Sequence, residues 1–64
     1  MSPKEKAEDL VNKYRYVDLA TNSIEFAKRY ALIAVTEIIS VINPETNFQT
    51  WLYWKEVKKE IELI

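Results

Sequence analysis

Apolar residues recur with helical spacing along the first part of the chain. The first stripe contains five apolar side chains, at intervals of three, one, three and three residues: Ala7, Leu10, Val11, Tyr14 and Val17. At about 100° per residue they share one arc of roughly 120°, which suits a helix that covers a core. Ser2, Pro3 and Glu5 precede the stripe as a capping box with a proline at the first helical position. The pattern predicts a helix over residues 3–20.

The next segment is apolar on most sides. Ten of the thirteen residues from Tyr30 to Ile42 are apolar. The apolar side chains of residues 24–42, apart from Phe26 and Ile33 beyond one margin, fill an arc of about 200° on a helical wheel. A helix packed on one neighbour needs little more than about 100°. The surplus predicts that this helix is the centre of a bundle or meets a second copy of the chain. Two alternatives stay open: an unbroken helix over residues 3–42, and a buried strand over residues 38–42, because β-branched side chains lower helix propensity.

A proline separates the second helix from the third. Pro44 pushes Asn43 out of helical geometry, so the second helix has to end there, and Thr46 or Asn47 can cap the next one. The third stripe contains these residues: Tyr53, Trp54, Val57, Ile61 and Ile64. A different side of the same predicted helix carries Phe48, Trp51 and Leu52. The predicted fold is therefore all-α, with three helices over about residues 3–20, 24–42 and 48–64 in a single domain over residues 1–64.

The length of the chain favours association. A chain of 64 residues buries only about 60% of its unfolded surface and is marginally stable alone, and it has no Cys for a disulfide. We therefore expect a homodimeric helical bundle centred on the second helix. The expected interface residues are Tyr30, Ala31, Ala34, Val35, Ile38 and Ile42.

The composition offers little for catalysis or for nucleic acid. The chain has no His, no Gly and a net charge of −1 from 9 basic and 10 acidic residues, and the two signs are balanced within each segment. The lack of His and Cys removes the commonest catalytic bases and metal ligands. We predict no enzymatic activity, no cofactor and no metal. The apolar run is too short for a bilayer, which takes about 20 residues, so we expect no membrane partner and a soluble protein of the cytoplasm, with nucleic acid an unlikely partner.

Four aromatic residues are the strongest candidates for a partner-binding surface: Phe48, Trp51, Tyr53 and Trp54. Trp and Tyr are enriched at binding hot spots because they contribute large areas at a small entropy cost. Successive residues of a helix point about 100° apart, so this cluster cannot enter one core completely. The alternative is that all four are core, divided between the bundle and the dimer interface.

Two further functions remain open. Arg15, Tyr16 and Arg29 could form a ligand pocket between subunits, which would suit a small nucleotide sponge. A DNA-binding regulator is the third hypothesis, although the lysines of the third helix come late in it and are offset by Glu56 and Glu60.

Two segments, ALIAVTEII over residues 31–39 and YWKEVKKEI over residues 53–61, resemble small helical proteins encoded by phages and prophages. The KAEDLV segment over residues 6–11 is similar to the start of those proteins. The resemblance implies a phage accessory protein, and many such short proteins block host defences by binding. It assigns no functional residue. Together these observations predict a non-catalytic protein that inhibits or sequesters a host protein inside the host cell.

Overall fold

The computed structural model describes residues 1–17 and 24–64, and their backbone forms three α-helices. Helix α1 spans Pro3–Val17, α2 spans Ile24–Val41 and α3 spans Phe48–Leu63. Since residues 38–41 are helical, the all-α prediction is confirmed and the strand alternative is wrong. The predicted end of the first helix, and the question of one unbroken helix, fall on residues 18–23, outside the described residues. The side chains of Tyr16 and Val17 also lie outside them.

The capping box at the start of α1 is formed as the sequence predicts. The Glu5 N–H donates to Ser2 Oγ at 3.2 Å, and the Ser2 backbone nitrogen donates to Glu5 Oε1 at 3.3 Å. The hydrogen bonds with the Ser2 side chain and then with its backbone hold the pKa of the Glu5 carboxyl below its ordinary value. These bonds satisfy two amide groups that a helix N-terminus leaves unpaired.

The turn between α2 and α3 is organised by Asn43. Its Oδ1 accepts from the Glu45 N–H at 2.9 Å, and its carbonyl accepts from the Asn47 N–H at 2.8 Å. Asn47 occupies the N-cap position of α3, but its side chain makes no capping hydrogen bond. Instead its Nδ2 donates to Thr46 Oγ1 at 3.1 Å. The predicted N-cap position of Asn47 is therefore confirmed, but the predicted side-chain capping hydrogen bond is not formed, because the Thr46 and Asn47 side chains bond within the turn itself.

Long-range contacts define the direction of the helices. The ring of Tyr14, near the end of α1, lies 6.2 Å from that of Tyr30, near the start of α2. Lys28 Nζ, also near the start of α2, donates to the Glu62 carbonyl at the end of α3 at 3.5 Å. Helix α2 therefore runs antiparallel to both neighbours.

Helices α1 and α3 run in the same direction. The Tyr53 hydroxyl donates to the Met1 carbonyl at 3.2 Å, and Lys6 Nζ lies 6.0 Å from the centroid of the Trp54 ring. Each helix packs against both others. The result is an up-down-up three-helix bundle.

The core is small and apolar. Its fully buried residues are Ala7, Val11, Ala27, Ala31, Val35, Val57 and Ile61. Half-buried apolar side chains cover it: Leu10, Tyr14, Leu32, Ile39, Tyr53 and Trp54. No polar or charged side chain of the described residues is buried. No helix in residues 1–17 and 24–64 is both long and apolar enough to cross a bilayer.

Candidate interaction surfaces

Helix α2 carries a row of large apolar side chains on a face that is turned away from its core contacts. Phe26, Tyr30, Ile33 and Val41 are 43%, 46%, 58% and 81% exposed, and we call these four residues the outer stripe of α2. At about 100° per residue they lie within an arc of roughly 80°. The centre of that arc is roughly 120° away from the line of buried alanines and valine on the same helix. Helix α2 is therefore apolar on a face that the bundle does not use.

The predicted dimer interface is only partly available. Ala31 and Val35 are completely buried in the chain's own core, so they have no surface for a second copy and we correct that assignment. Ala34, Ile38 and Ile42 are half-buried. Tyr30, described above, is the one exposed member of the predicted set.

Sequence reasoning missed the other members of the outer stripe. Phe26 and Ile33 lie just beyond the edge of the predicted 200° arc, next to Glu37, and the arc was centred on the side that faces α1 and α3. The sequence feature that could have identified the outward face of α2 is the size of its side chains. Ala27 and Ala31 permit close approach of neighbouring helices and therefore face inward, which turns Phe26 and Ile33 toward solvent.

Two charged residues accompany the outer stripe. Glu37 is exposed and occupies the position between Ile33 and Val41 at which the apolar spacing is interrupted. Arg29 is also exposed, and its guanidinium lies 5.8 Å from the centroid of the Phe26 ring. This distance allows a weak cation–π contact that holds the positive charge beside the stripe. Among the described residues neither charge takes part in an ion pair.

A second apolar surface lies at the start of α3. Phe48 is 52% exposed and Leu52 is 36% exposed, and the half-buried Trp51 stacks on Phe48 with ring centroids 5.9 Å apart. Lys55 Nζ lies 5.5 Å from the Trp51 ring centroid. We call Phe48, Trp51 and Leu52 the α3 patch. It is an aromatic surface with a cation at its edge.

The other two aromatics of the predicted cluster face inward. Tyr53 and Trp54 pack against the core, and their rings meet edge to face at 5.5 Å. The four predicted partner-binding residues therefore divide into an outward pair, Phe48 and Trp51, and an inward pair. Leu52 joins the outward pair, and the sequence wheel placed these three residues on one side of the helix.

Two of the three predicted ligand-pocket residues, Arg15 and Arg29, have side chains among those that the structure describes. Arg15 is half-buried, and its Nε has no hydrogen-bond partner within the described residues. Arg29 lines a surface depression with Glu25, Lys28 and Leu32 on α2 alone, without Arg15. The side chain of Tyr16 lies outside the described residues. The nucleotide-sponge hypothesis needs a pocket between two subunits, so it stays a prediction.

Charged side chains line two other depressions of the surface. One lies along α3 among Lys55, Glu56, Lys58, Lys59 and Glu62. The other lies between the start of α1 and the middle of α3, among Ser2, Pro3, Lys4, Glu56, Lys59 and Glu60. No group of three Asp or Glu residues in the described ranges is arranged to hold a metal ion. Both depressions contain lysine as well as glutamate side chains, so neither concentrates charge of one sign.

Comparison of the chain with protein-family models, with curated proteins and with solved structures found no match.

Proposed function

We propose that the chain is a non-catalytic binding protein that recognises another protein through the α3 patch. The observation that supports this is the exposure of Phe48 and Leu52 beside a stacked Trp51 in a bundle whose core is complete without them. Two other residues at the start of α3, Tyr53 and Trp54, serve the core. Phe48 presents a large apolar area to solvent, and the half-buried Trp51 is held against its ring.

The geometry of the α3 patch indicates the chemistry of its partner. A stacked aromatic pair is already ordered, so binding costs less side-chain entropy than it would for free side chains. Trp is among the residues most enriched at binding hot spots. Lys55 stands at the edge of the patch, with its Nζ 5.5 Å from the centroid of the Trp51 ring. The partner that fits best has an apolar cleft for Trp51 with acidic side chains on its rim.

The wider biological reading remains a proposal from the sequence. We propose that the protein acts as a helical homodimer, that its partner is a host protein of a phage-infected cell, and that it works in the cytoplasm. The resemblance of residues 31–39 and 53–61 to phage-encoded helical proteins supports the phage setting.

Affinity capture followed by quantitative binding tests this proposal. Wild-type protein is used to capture a partner from bacterial lysate, and the purified partner is then titrated with wild type and variants. Trp51→Ala should weaken binding by about 30-fold, which corresponds to about 2 kcal/mol for a hot-spot residue. Circular dichroism should show an unchanged helix content.

Leu63→Ala provides the matched control. Leu63 lies on the same helix and is 72% exposed, but it is outside the α3 patch, so its replacement should leave the affinity within about twofold of wild type. The proposal fails if Trp51→Ala binds as tightly as wild type, or if both variants weaken binding equally.

A further inference from the structure

The charges that flank the outer stripe of α2 are arranged symmetrically. Arg29 lies four residues before Ile33, and Glu37 lies four residues after it. The apolar ends of the stripe are nearly symmetric as well, because Phe26 precedes Ile33 by seven residues and Val41 follows it by eight. Such a face is complementary to itself when it is reversed.

We propose that the outer stripe of α2 binds the outer stripe of a second copy in antiparallel orientation, with the two-fold axis at Ile33 and reciprocal ion pairs between Arg29 and Glu37. At a rise of about 1.5 Å per residue, both charges lie roughly 6 Å along the helix from Ile33. Reversal of one copy brings Arg29 level with Glu37 of the other, and the two-fold axis repeats this pair. Phe26 then lies within about 1.5 Å, along the helix axis, of Val41 of the second copy.

Charge complementarity selects both the occupant and its direction. Parallel pairing would place Glu37 against Glu37 and Arg29 against Arg29, and like charges directly opposite are unfavourable. Antiparallel pairing replaces both repulsions with attractions. The charge pattern of the outer stripe is therefore complementary to that of a second, antiparallel copy of the same chain.

The buried area sets the strength of this dimer. With about 150–220 Å² as the full area of each large apolar side chain, the stripe exposes roughly 400 Å² per copy. Two copies would bury roughly 800 Å² from the stripe alone, and the flanking side chains bring the total toward about 1,200 Å², the lower limit of standard interfaces. Interfaces of this size are weak or transient, so the dimer should form at micromolar or higher concentrations.

This inference rests on the proposed homodimer but not on the α3 patch, and the two can fail separately. Trp51→Ala, which should weaken partner binding by about 30-fold, should leave the dimer constant unchanged. A variant of the outer stripe should weaken the dimer and leave the affinity for the partner protein unchanged.

Sedimentation equilibrium of the full chain, from a few to several hundred micromolar, tests the ion pairs by charge exchange. Arg29→Glu and Glu37→Arg should each weaken dimerisation by about tenfold at low salt, because each creates two like-charge contacts per dimer. The double exchange should restore it to within about threefold of wild type. Lys59→Glu makes the same change in net charge as Arg29→Glu, but on the exposed surface of α3, and should leave the dimer constant unchanged. A monomer at all concentrations, or a double exchange no better than the single changes, would overturn the proposal.

Disulfide trapping tests the position of the two-fold axis. The chain contains no Cys, so Ile33→Cys introduces one thiol per copy, and the two thiols should meet at the axis and form a covalent dimer on mild oxidation. Thr36→Cys is the control, because its two thiols would be roughly 9 Å apart along the helix direction. Equal or faster cross-linking of Thr36→Cys would exclude this register.

Discussion

Replacement of Ile61 by alanine should remove much of the stability of the bundle. Ile61 is completely buried and is among the three largest fully buried side chains of the described residues. The substitution deletes three carbon atoms, worth about 0.8 kcal/mol each in transfer free energy, and the remaining cavity adds to this. We expect a loss of about 3 kcal/mol within the usual range of about 2–5 kcal/mol.

That loss is large relative to the total. A chain of 64 residues has an expected free energy of unfolding of roughly 3–10 kcal/mol. Ile61→Ala therefore brings the protein close to global unfolding at room temperature. Ile61→Val is the milder variant, with an expected loss of about 0.5–1.5 kcal/mol, and should remain folded.

Urea denaturation followed by far-ultraviolet circular dichroism measures both losses. With a slope of about 1 kcal/mol per molar urea for a small protein, the midpoint should fall by about 3 M for Ile61→Ala and by about 1 M for Ile61→Val. Leu63→Ala is the control two residues away, since Leu63 is 72% exposed, and its effect should stay within about 0.5 kcal/mol. Equal midpoints for Ile61→Ala and Leu63→Ala would refute the assignment of Ile61 to the core.

Two further predictions concern the helix start and the contacts of α2. The pKa of Glu5 is lowered from its ordinary value of 4.5 by its hydrogen bonds with Ser2, so the stabilising contribution of its carboxylate is present above pH 4.5 and is lost as the pH falls through the lower folded pKa. Titration by nuclear magnetic resonance should show this lowered pKa, and Ser2→Ala should return it toward 4.5. An unchanged pKa in that variant would contradict the role of Ser2. Ala31→Leu should destabilise the protein by about 1–3 kcal/mol, because Ala31 is completely buried and the larger side chain overpacks the core. Ala34→Leu, at a half-buried position, should destabilise it less. A lower melting temperature for Ala34→Leu than for Ala31→Leu would contradict the orientation of α2.

The secondary structure was largely predictable because its determinants are local. Apolar spacing and proline position predicted a second helix over residues 24–42 and a third over 48–64, and the structure has Ile24–Val41 and Phe48–Leu63. The capping box at Ser2 and Glu5 needs only residues three apart in sequence, and it forms as predicted. Each of these features depends on its nearest neighbours in the chain.

The orientation of α2 was harder to predict because it is a tertiary property. An apolar arc of about 200° permits several ways of facing two neighbours, and the hydrophobic pattern alone does not choose among them. The bundle turns Ala31 and Val35 inward and leaves Phe26 and Ile33 outward. The volume that α1 and α3 leave for side chains decides this, and that volume depends on residues distant in sequence.

The candidate surface on α3 shows the same division between local and tertiary information. Helical geometry separates Phe48 and Trp51 from Tyr53 and Trp54, and the sequence wheel placed them on different sides. It could not establish which side the core would cover. That required the contacts of Tyr53 with the chain start and of Trp54 with Lys6.

The division of the core among the three helices has a consequence for how the protein opens. Of the seven fully buried residues in the described part of the chain, α1 supplies two, α2 three and α3 two. Because each helix packs against both others, the departure of α3 would expose the core side chains that remain on α1 and α2. The three helices should therefore exchange their amide hydrogens with similar free energies, as one cooperative unit. A ligand that holds α3 in place would then protect the backbone of all three helices.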